Sequence, residues 1–298
     1  MIKIKFYIKN YVIKYIFLCI FIIISLIVIS CFIPLSDKNY IMAAEGTQET
    51  VSLPILMYHG LVKSSDKSKN KYNISTELFE EDLAFIKKNE FNTIIMEDLI
   101  NHVNNNIELP RNPIMITFDD GYLNNYINGF PLIQKYNTKI VFAPIGSCIE
   151  KYSNCNERDL SYCHCTWDDL KIMKDSNLVD IQNHSYDMHT NTSRHGCKIL
   201  KCESKENYRK ILTKDLLKFQ EIMYNHLNIT PSTFVYPFGA LCPECDEILL
   251  ELGFKATLSC YGRINHISKD PKCLYRLCRI LRPPNIKPDV FFKKHKII

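Results

Sequence analysis

The chain has 298 residues, of which 46% are hydrophobic, and its 37 Lys and Arg outnumber its 32 Asp and Glu to give a formal net charge of +5. This length allows one large domain or two ordinary ones. Basic and acidic residues are intermixed, and no basic stripe carries interleaved aromatic residues, so the sequence argues against a nucleic-acid-binding protein.

The N-terminal part of the chain divides into three segments. Residues 1–14 carry four lysines, residues 15–35 form an apolar stretch of 21 residues, and residues 36–50 form a short polar tether. An apolar stretch of this length can span a bilayer, and the lysines before it favour the inner side. We therefore expect a single-pass anchor in the cell membrane with the following chain outside the cell. Two alternatives are a cleaved signal peptide, giving a secreted protein, and a lipoprotein attached through Cys31.

Residues 51–298 alternate between strand and helix patterns and are predicted to form one domain. The helix predicted at 76–88 carries Phe79, Leu83 and Ile86 on one face, and Thr166 begins another helix with a capping-box pattern. Seven strands are predicted at 53–57, 91–95, 113–118, 138–143, 178–182, 232–236 and 254–258. Such alternation predicts an α/β fold with a parallel (β/α) barrel, whose chemistry lies at the carboxyl ends of the strands.

Two adjacent carboxylates end the strand predicted at 113–118. Asp119, Asp120 and Gly121 follow a run of buried apolar residues, where charges are costly unless a cation or a partner neutralises them. Neighbouring residues leave a strand in different directions, so one Asp can bind a metal while the other transfers a proton. An isolated Asp-Asp-Gly is more often only a turn.

Two histidines follow the strand predicted at 178–182. His184 and His189 would lie about 140° apart on a helix and on opposite faces of a strand, so they converge only where the chain curls. Two imidazoles and one carboxylate form a set that binds one divalent cation and leaves positions open for water and substrate. Zn²⁺ is the default ion, and Ni²⁺ or Co²⁺ accept the same donors.

In their order along the chain, residues 117–121 and 184–189 resemble the first two motifs of the NodB-homology polysaccharide deacetylases, carbohydrate esterase family 4. Residues 55–60 resemble the Leu-Met-Tyr-His start of a subgroup that includes deacetylases of poly-N-acetylglucosamine. The resemblance extends from about Leu53 to Pro284. It implies an irregular NodB-type barrel and a metal-dependent hydrolase that removes N-acetyl groups from a cell-wall or extracellular polysaccharide.

The resemblance also implies roles for individual residues. Asp119 matches the catalytic base, and Asp120, His184 and His189 match the metal ligands. Residues 234–239 resemble the third motif, in which a backbone N–H faces the developing oxyanion. The residues that this motif assigns to the oxyanion and the substrate are Tyr236, Pro237 and Phe238.

The sequence departs from the family pattern at two points. The arginine that precedes the third motif is missing, and an arginine near the C-terminus takes its place in the subgroup; Arg279 is the candidate and Arg276 the fallback. No Leu-x-His motif supplies the general acid, so His59 of the opening motif is the candidate, and His266 is assigned to a loop. Tyr58, beside His59, is a candidate substrate contact, as are Tyr122 and Tyr186.

Thirteen cysteines are present, and 11 of them follow the apolar segment. Outside a cell, cysteines are expected to form disulfides. Loop-stapling disulfides are therefore the first expectation, free buried thiols the second and a structural metal site, for which Cys242 and Cys245 form one C-x-x-C pair, the third.

Three alternative functions remain open. The same apparatus would also remove O-acetyl groups from a xylan-like chain or hydrolyse a small amide. A barrel without turnover would be a glycan-binding wall protein, and a structural membrane protein has only the anchor in its favour. A free Asp119 beside a complete ligand set argues for an enzyme.

Overall fold

The computed structural model describes residues 50–63 and 70–298. These ranges exclude the segments predicted at 1–14 and 15–35, with Cys19 and Cys31, and all of the tether predicted at 36–50 except Thr50. Within the two described ranges, no helix combines the length and the apolar character needed to cross a membrane.

The described residues form twelve strands and eight α-helices. The strands are β1 Val51–Leu53, β2 Ile55–Tyr58, β3 Gly60–Val62, β4 Asn73–Ser75, β5 Asn92–Thr93, β6 Pro113–Asp120, β7 Ile140–Pro144, β8 Val179–Ile181, β9 Thr233–Val235, β10 Ala256–Leu258, β11 Asn265–Ile267 and β12 Ile280–Leu281. The helices are α1 Thr76–Lys88, α2 Met96–Asn105, α3 Phe130–Tyr136, α4 Gly146–Ser153, α5 Trp167–Asp175, α6 Lys205–Leu227, α7 Pro243–Glu251 and α8 Pro288–Lys294.

Seven of the described strands form a closed, irregular parallel barrel. Strands β12, β2, β6, β7 and β8 pair in this order, and β9 pairs with β10. Two isolated parallel bridges, Asn183 to Phe234 and Leu258 to Leu277, join these two groups into a ring. The predicted barrel of about seven parallel strands is therefore confirmed, although at two junctions the neighbouring segments are joined by a single bridge.

The set of barrel strands differs from the prediction in two places. The strand predicted at 53–57 is interrupted at Pro54, which has no N–H to donate; β1 pairs with β11 in antiparallel orientation and only β2 joins the barrel. The strand predicted at 91–95 is reduced to β5, which pairs only with the first two residues of β6. The seventh barrel strand is β12, whose two residues are too few to show a periodic pattern.

Alternation along the strands separates two buried layers. One cluster collects side chains from successive barrel strands, including Ile55, Met115, Val141, Val235 and Leu258. The neighbouring residues on the same strands, such as Leu56, Ile116 and Phe142, pack instead against helices α1 and α6. Further along the same strands, side chains on the same face as the first cluster point into the carboxyl end of the barrel.

Both helix predictions are confirmed. Helix α1 spans residues 76–88 as predicted, with Phe79, Leu83 and Ile86 buried. At the start of α5, the Thr166 hydroxyl accepts a hydrogen bond from the Asp169 N–H, and the Asp169 carboxylate accepts one from the Thr166 N–H. This reciprocal capping satisfies two backbone donors at the helix N-terminus.

The prediction of loop-stapling disulfides is wrong for the described part of the chain, where all 11 cysteines are free thiols. The sulfur atoms of Cys197 and Cys245 are 3.8 Å apart, which is van der Waals contact and not the bond length of about 2.05 Å. These two cysteines and Cys242 are buried in an apolar cluster with Leu212 and Phe234. They pack as small apolar side chains.

Candidate active site

A cavity of about 450 Å³ opens at the carboxyl ends of the barrel strands. Residues at the ends of strands β2, β6, β8, β9 and β10, or a few positions beyond them, contribute to its lining, as expected for a parallel barrel. Seven residues predicted from the sequence line it: His59, Asp119, Asp120, Tyr122, His184, His189 and Phe238.

Asp120, His184 and His189 meet in this cavity. The Asp120 Oδ1 atom lies 3.5 Å from His184 Nε2 and 3.3 Å from His189 Nε2. One ligand atom from each of the three residues lies within 4.8 Å of the other two, and they form the only such group of His, Cys, Asp and Glu among residues 50–63 and 70–298. The curled loop required by the five-residue spacing of the histidines is therefore present.

These three residues fit a divalent cation. Asp120 Oδ1 is buried, and no described group donates a hydrogen bond to it with good geometry. His184 Nδ1 lies 2.8 Å from the Val235 carbonyl oxygen, so this nitrogen donates and Nε2 remains available as a ligand. Burial alone would raise the pKa of the Asp120 carboxyl, but His184, His59 and His189 outweigh it and hold this pKa well below its usual range. A buried, ionised and underbonded oxygen between two imidazoles is a site for positive charge.

Three residues of the site have left-handed backbone conformations that are rare for residues other than glycine. The φ angle is 70° at Asp120, 69° at Ser185 and 59° at Phe238. Regular alternation would direct Asp120 away from the cavity that Asp119 faces, and the left-handed turn brings both side chains into it. Such conformations cost about 1 kcal/mol or more each and cluster at functional sites.

Asp119 is paired with Arg279, which is fully buried. Arg279 Nη1 donates to Asp119 Oδ1 over 2.6 Å, and Nη2 donates to Oδ2 over 2.8 Å. Burial alone would raise the pKa of the Asp119 carboxyl, but the charges of Arg279 and His184 outweigh it and the net shift is downward. The fallback residue Arg276 lies elsewhere, where its Nε donates to Asp246 over 2.8 Å.

His59 lies at the edge of the same cavity. Its Nδ1 is buried, and no described group forms a hydrogen bond with it. Its ring packs against Tyr72 with the ring centroids 4.9 Å apart. Burial lowers the pKa of His59 below its ordinary value, although the charges of Asp119 and Asp120 oppose the shift.

The residues of the third motif divide between the cavity and the core. Residues Pro237 to Gly239 form a short 3-10 turn, and the Phe238 ring packs on His189 with a centroid distance of 4.2 Å. Pro237 is buried beneath this turn. The assignment of Tyr236 as a substrate contact is corrected, because its side chain is fully buried and its hydroxyl donates to Asp246 on α7.

Tyr58 is also corrected as a substrate contact. Its side chain is buried on the outer side of the barrel, where its hydroxyl donates to Asp82 over 3.0 Å. Met57 faces the cavity, so alternation turns Tyr58 towards helix α1. Tyr186 also faces away, and its hydroxyl donates to Glu150. Of the candidate tyrosines, Tyr122 lines the cavity.

Four residues of the lining were not predicted from the sequence: Met57, Tyr72, Cys260 and Leu281. Leu281 lies two positions after Arg279, which immediately precedes β12, so extended alternation from Arg279 could have found it. Tyr72 belongs to the segment before β4, and no local pattern connects it with the other residues.

Comparisons with known proteins agree with this architecture. A family profile described as polysaccharide deacetylase matches residues 106–257, just over half of the chain. The chain is 22% identical over 243 residues to the poly-beta-1,6-N-acetyl-D-glucosamine N-deacetylase of Escherichia coli K12, which covers 75% of this chain and 36% of that protein. The chain therefore corresponds to about a third of that relative's length.

A relative of the same name from Staphylococcus aureus strain MRSA252 is 22% identical over 196 residues, covering 64% of this chain and 62% of that protein. Among solved structures, a de-N-acetylase from Aggregatibacter actinomycetemcomitans superposes with a TM-score of 0.70 at 23% identity. The match covers 83% of this chain and 100% of that chain. At this identity the similarity establishes the fold.

Proposed function

Because the chain belongs to the polysaccharide deacetylase family, we propose that it is a metal-dependent hydrolase that removes N-acetyl groups from N-acetylglucosamine units of a cell-wall or extracellular polysaccharide. The observation that carries the proposal is the convergence of Asp120, His184 and His189 beside a separate carboxylate, Asp119, held by Arg279. The names of the E. coli and S. aureus relatives support the choice of substrate.

We propose Zn²⁺ as the bound ion, held by Asp120 and the two histidines, with Ni²⁺ or Co²⁺ as substitutes that accept the same donors. A divalent cation in such a site would supply Lewis-acid chemistry, lowering the pKa of bound water towards about 7 and polarising a carbonyl group.

Asp119 is proposed to accept a proton from the attacking water. Its low pKa keeps the carboxylate ionised at neutral pH, and its two oxygens already accept hydrogen bonds from Arg279. The arginine therefore fixes the direction of the carboxylate before substrate arrives. Preorganisation of this kind lowers the cost of reaching the reactive geometry.

His59 is proposed to donate a proton to the leaving nitrogen, because an amide nitrogen leaves only when it is protonated. Burial lowers the pKa of His59, so the protonated fraction in the free protein at neutral pH is small. Negative charge that develops on the substrate next to this buried ring favours its protonation. Protonation of His59 is thus favoured at the stage of the reaction at which the leaving nitrogen needs a proton.

The backbone N–H of Phe238 is proposed to stabilise the developing oxyanion. The left-handed conformation at Phe238, in the turn that follows β9, supports this role because it is strain retained at the rim of the cavity. Loss of one oxyanion donor typically lowers kcat by about 10²- to 10³-fold. The exposed faces of Tyr72 and Phe238 are candidates for stacking on sugar rings.

The proposed location is the outer face of the cell membrane, with residues 15–35 as a single-pass anchor. The length of this apolar stretch and the lysines before it support the proposal. Secretion after cleavage and lipid attachment at Cys31 are the alternatives, and the N-terminal sequence and mass of the mature protein distinguish the three.

The test is acetate release by the purified full-length protein from oligomers of N-acetylglucosamine and, in parallel, from acetylated xylan. We expect metal-dependent release from the first substrate. Release from acetylated xylan alone would replace the proposal with an O-acetyl esterase. Binding of the oligomers without acetate release would identify a glycan-binding protein.

A further inference from the structure

The turn between His184 and His189 is held by hydrogen bonds from its backbone to side chains. The Ser185 N–H donates to Asn183 Oδ1 over 2.8 Å, and the Met188 N–H donates to Ser185 Oγ over 3.1 Å. Both of these acceptors belong to the loop itself. They shape its ends but do not connect it to the rest of the barrel.

The two N–H groups in the middle of the turn are bound by one carboxylate from a distant part of the chain. Asp215, on helix α6, accepts the Tyr186 N–H at Oδ1 over 2.9 Å and the Asp187 N–H at Oδ2 over 2.7 Å. Each oxygen of the carboxylate therefore has its own backbone donor. Successive N–H groups pointing at one anion define a rigid local conformation.

Helix α4 holds the opposite side of the same turn. The Gly146 N–H donates to the Ser185 carbonyl over 3.1 Å, and the Ser147 N–H donates to the Tyr186 carbonyl over 2.7 Å. The peptide units at the centre of the turn are thus held between two helices. This arrangement stabilises the left-handed conformation of Ser185, whose φ is 69°.

Asp215 is an unusual residue for its position on the helix. It lies next to the buried face of α6, which includes Leu212, Leu216 and Phe219. Placing a carboxylate there costs free energy unless hydrogen bonds compensate for the lost water. The two loop N–H groups supply that compensation, and no packing requirement explains an acid at this position.

We propose that Asp215 is a positioning residue that holds the turn between His184 and His189 in the shape that directs both imidazoles at one cation. The proposal rests on the proposed metal-dependent function. It explains how two histidines five positions apart converge: the curl is built by α6 and α4 before a metal binds. A preformed site avoids the ordering cost of assembling the loop around the ion.

Asp215→Asn tests the proposal with little change in size. An amide has one carbonyl oxygen, so it can accept only one of the two N–H groups and turns its own NH₂ towards the other. Asp180→Asn is the matched control, because Asp180 also accepts a backbone N–H, from Met96 over 3.0 Å, but does not contact the turn. The readout is the Kd for Zn²⁺ and for Co²⁺, measured by competition titration on the full-length protein.

We expect Asp215→Asn to weaken metal binding by about 10- to 100-fold, as for other groups that orient ligands, and Asp180→Asn to leave it unchanged. Asp215→Glu, which keeps both acceptor oxygens, is expected to recover part of the loss. Wild-type affinity in the Asn variant would overturn the proposal. Equal losses in the Asn variant and the Asp180 control would also overturn it, because they would reflect a general loss of stability.

A second measurement does not depend on whether the Asn variant folds. In the metal-free wild-type protein, we expect the Tyr186 and Asp187 amides to exchange slowly with solvent in NMR experiments. Rapid exchange of both amides would contradict the proposal that Asp215 holds the turn before a metal binds. Absence of Zn²⁺ and Co²⁺ binding by the wild type would instead contradict the proposed function and remove the metal-positioning role with it.

Discussion

Arg279 binds Asp119 through two parallel hydrogen bonds across 160 positions of the chain, and both side chains are almost completely buried. Arg279 Nε also donates to the Ser259 carbonyl over 2.9 Å, which fixes the plane of the guanidinium. A planar fork of this kind is specific to arginine. The orientation of the candidate base therefore depends on this one residue of the C-terminal strand region.

Arg279→Lys keeps the positive charge but removes the second hydrogen bond. We expect kcat/KM to fall by about 10²-fold because the carboxylate is misdirected. Arg279 lowers the pKa of Asp119, so weakening the pair raises that pKa. The base works only when ionised, so the acidic limb of the pH profile of kcat/KM should move to higher pH. Arg276→Lys, in the partly exposed pair with Asp246, is the control and should leave the profile unchanged.

Asp119→Asn should reduce turnover by about 10²- to 10⁴-fold, the usual contribution of a general base, while the protein retains its metal. Asp120→Asn should lose both metal and activity because it removes the only carboxylate of the Asp-His-His group. Metal content per chain and acetate release are measured together. Loss of metal from the Asp119 variant, with retention in the Asp120 variant, would mean that the two roles are exchanged.

His59→Ala should slow hydrolysis of amide substrates by about 10²- to 10⁴-fold and affect activated esters much less, because a good leaving group needs no proton. The two rates are compared on N-acetylglucosamine oligomers and on an aryl acetate. Equal losses on both substrates would remove His59 from the acid role. His266→Ala is the control, since His266 lies in β11 and does not line the cavity.

Removal of the metal should abolish activity and lower the thermal stability of the protein. An ion present at 100 times its Kd stabilises the folded state by about 2.7 kcal/mol. Chelator treatment should therefore lower the Tm, and Zn²⁺, Co²⁺ or Ni²⁺ should restore it together with activity. Asp120→Asn should show no Tm response to added metal; a full response in this variant would place the ion elsewhere.

Asp180→Asn should change the pH dependence of stability. Burial raises the pKa of Asp180 to about 6 in the folded protein, whereas the unfolded chain ionises near about 4. As the pH rises, the Asp180 carboxyl therefore stays protonated to a higher pH in the folded state than in the unfolded chain. The free energy of unfolding consequently falls as the pH rises from about 4 to above 6.

In the Asp180→Asn variant, the free energy of unfolding should no longer decrease over this pH range because of residue 180. The effect of the substitution on this decrease is at most about 3 kcal/mol, because water still reaches part of the Asp180 side chain. Urea unfolding at pH 4.5 and pH 7.5 measures it. If the free energy of unfolding changed with pH by the same amount in the wild type and the variant, Asp180 would have an ordinary pKa.

Local patterns in the sequence were sufficient to predict the repeating elements of the fold and the functional residues that follow predicted strands. The alternation of strands and helices predicted the barrel, and Asp119, Asp120, His184 and His189 could be identified because they stand where predicted strands stop. Helix α1 and the capped start of α5 were predicted for the same reason, since periodicity and capping are encoded within a few residues.

Tertiary structure alone decided the relationships between distant segments. The barrel closes through β12, too short to leave a pattern, and its closure brings Arg279 to Asp119 and aims Met57, not Tyr58, into the cavity. The same closure places Asp215 of α6 under the histidine turn. Sequence periodicity states which residues share a face of one element, but which elements meet, and in what register, depends on packing and chain closure over the whole barrel.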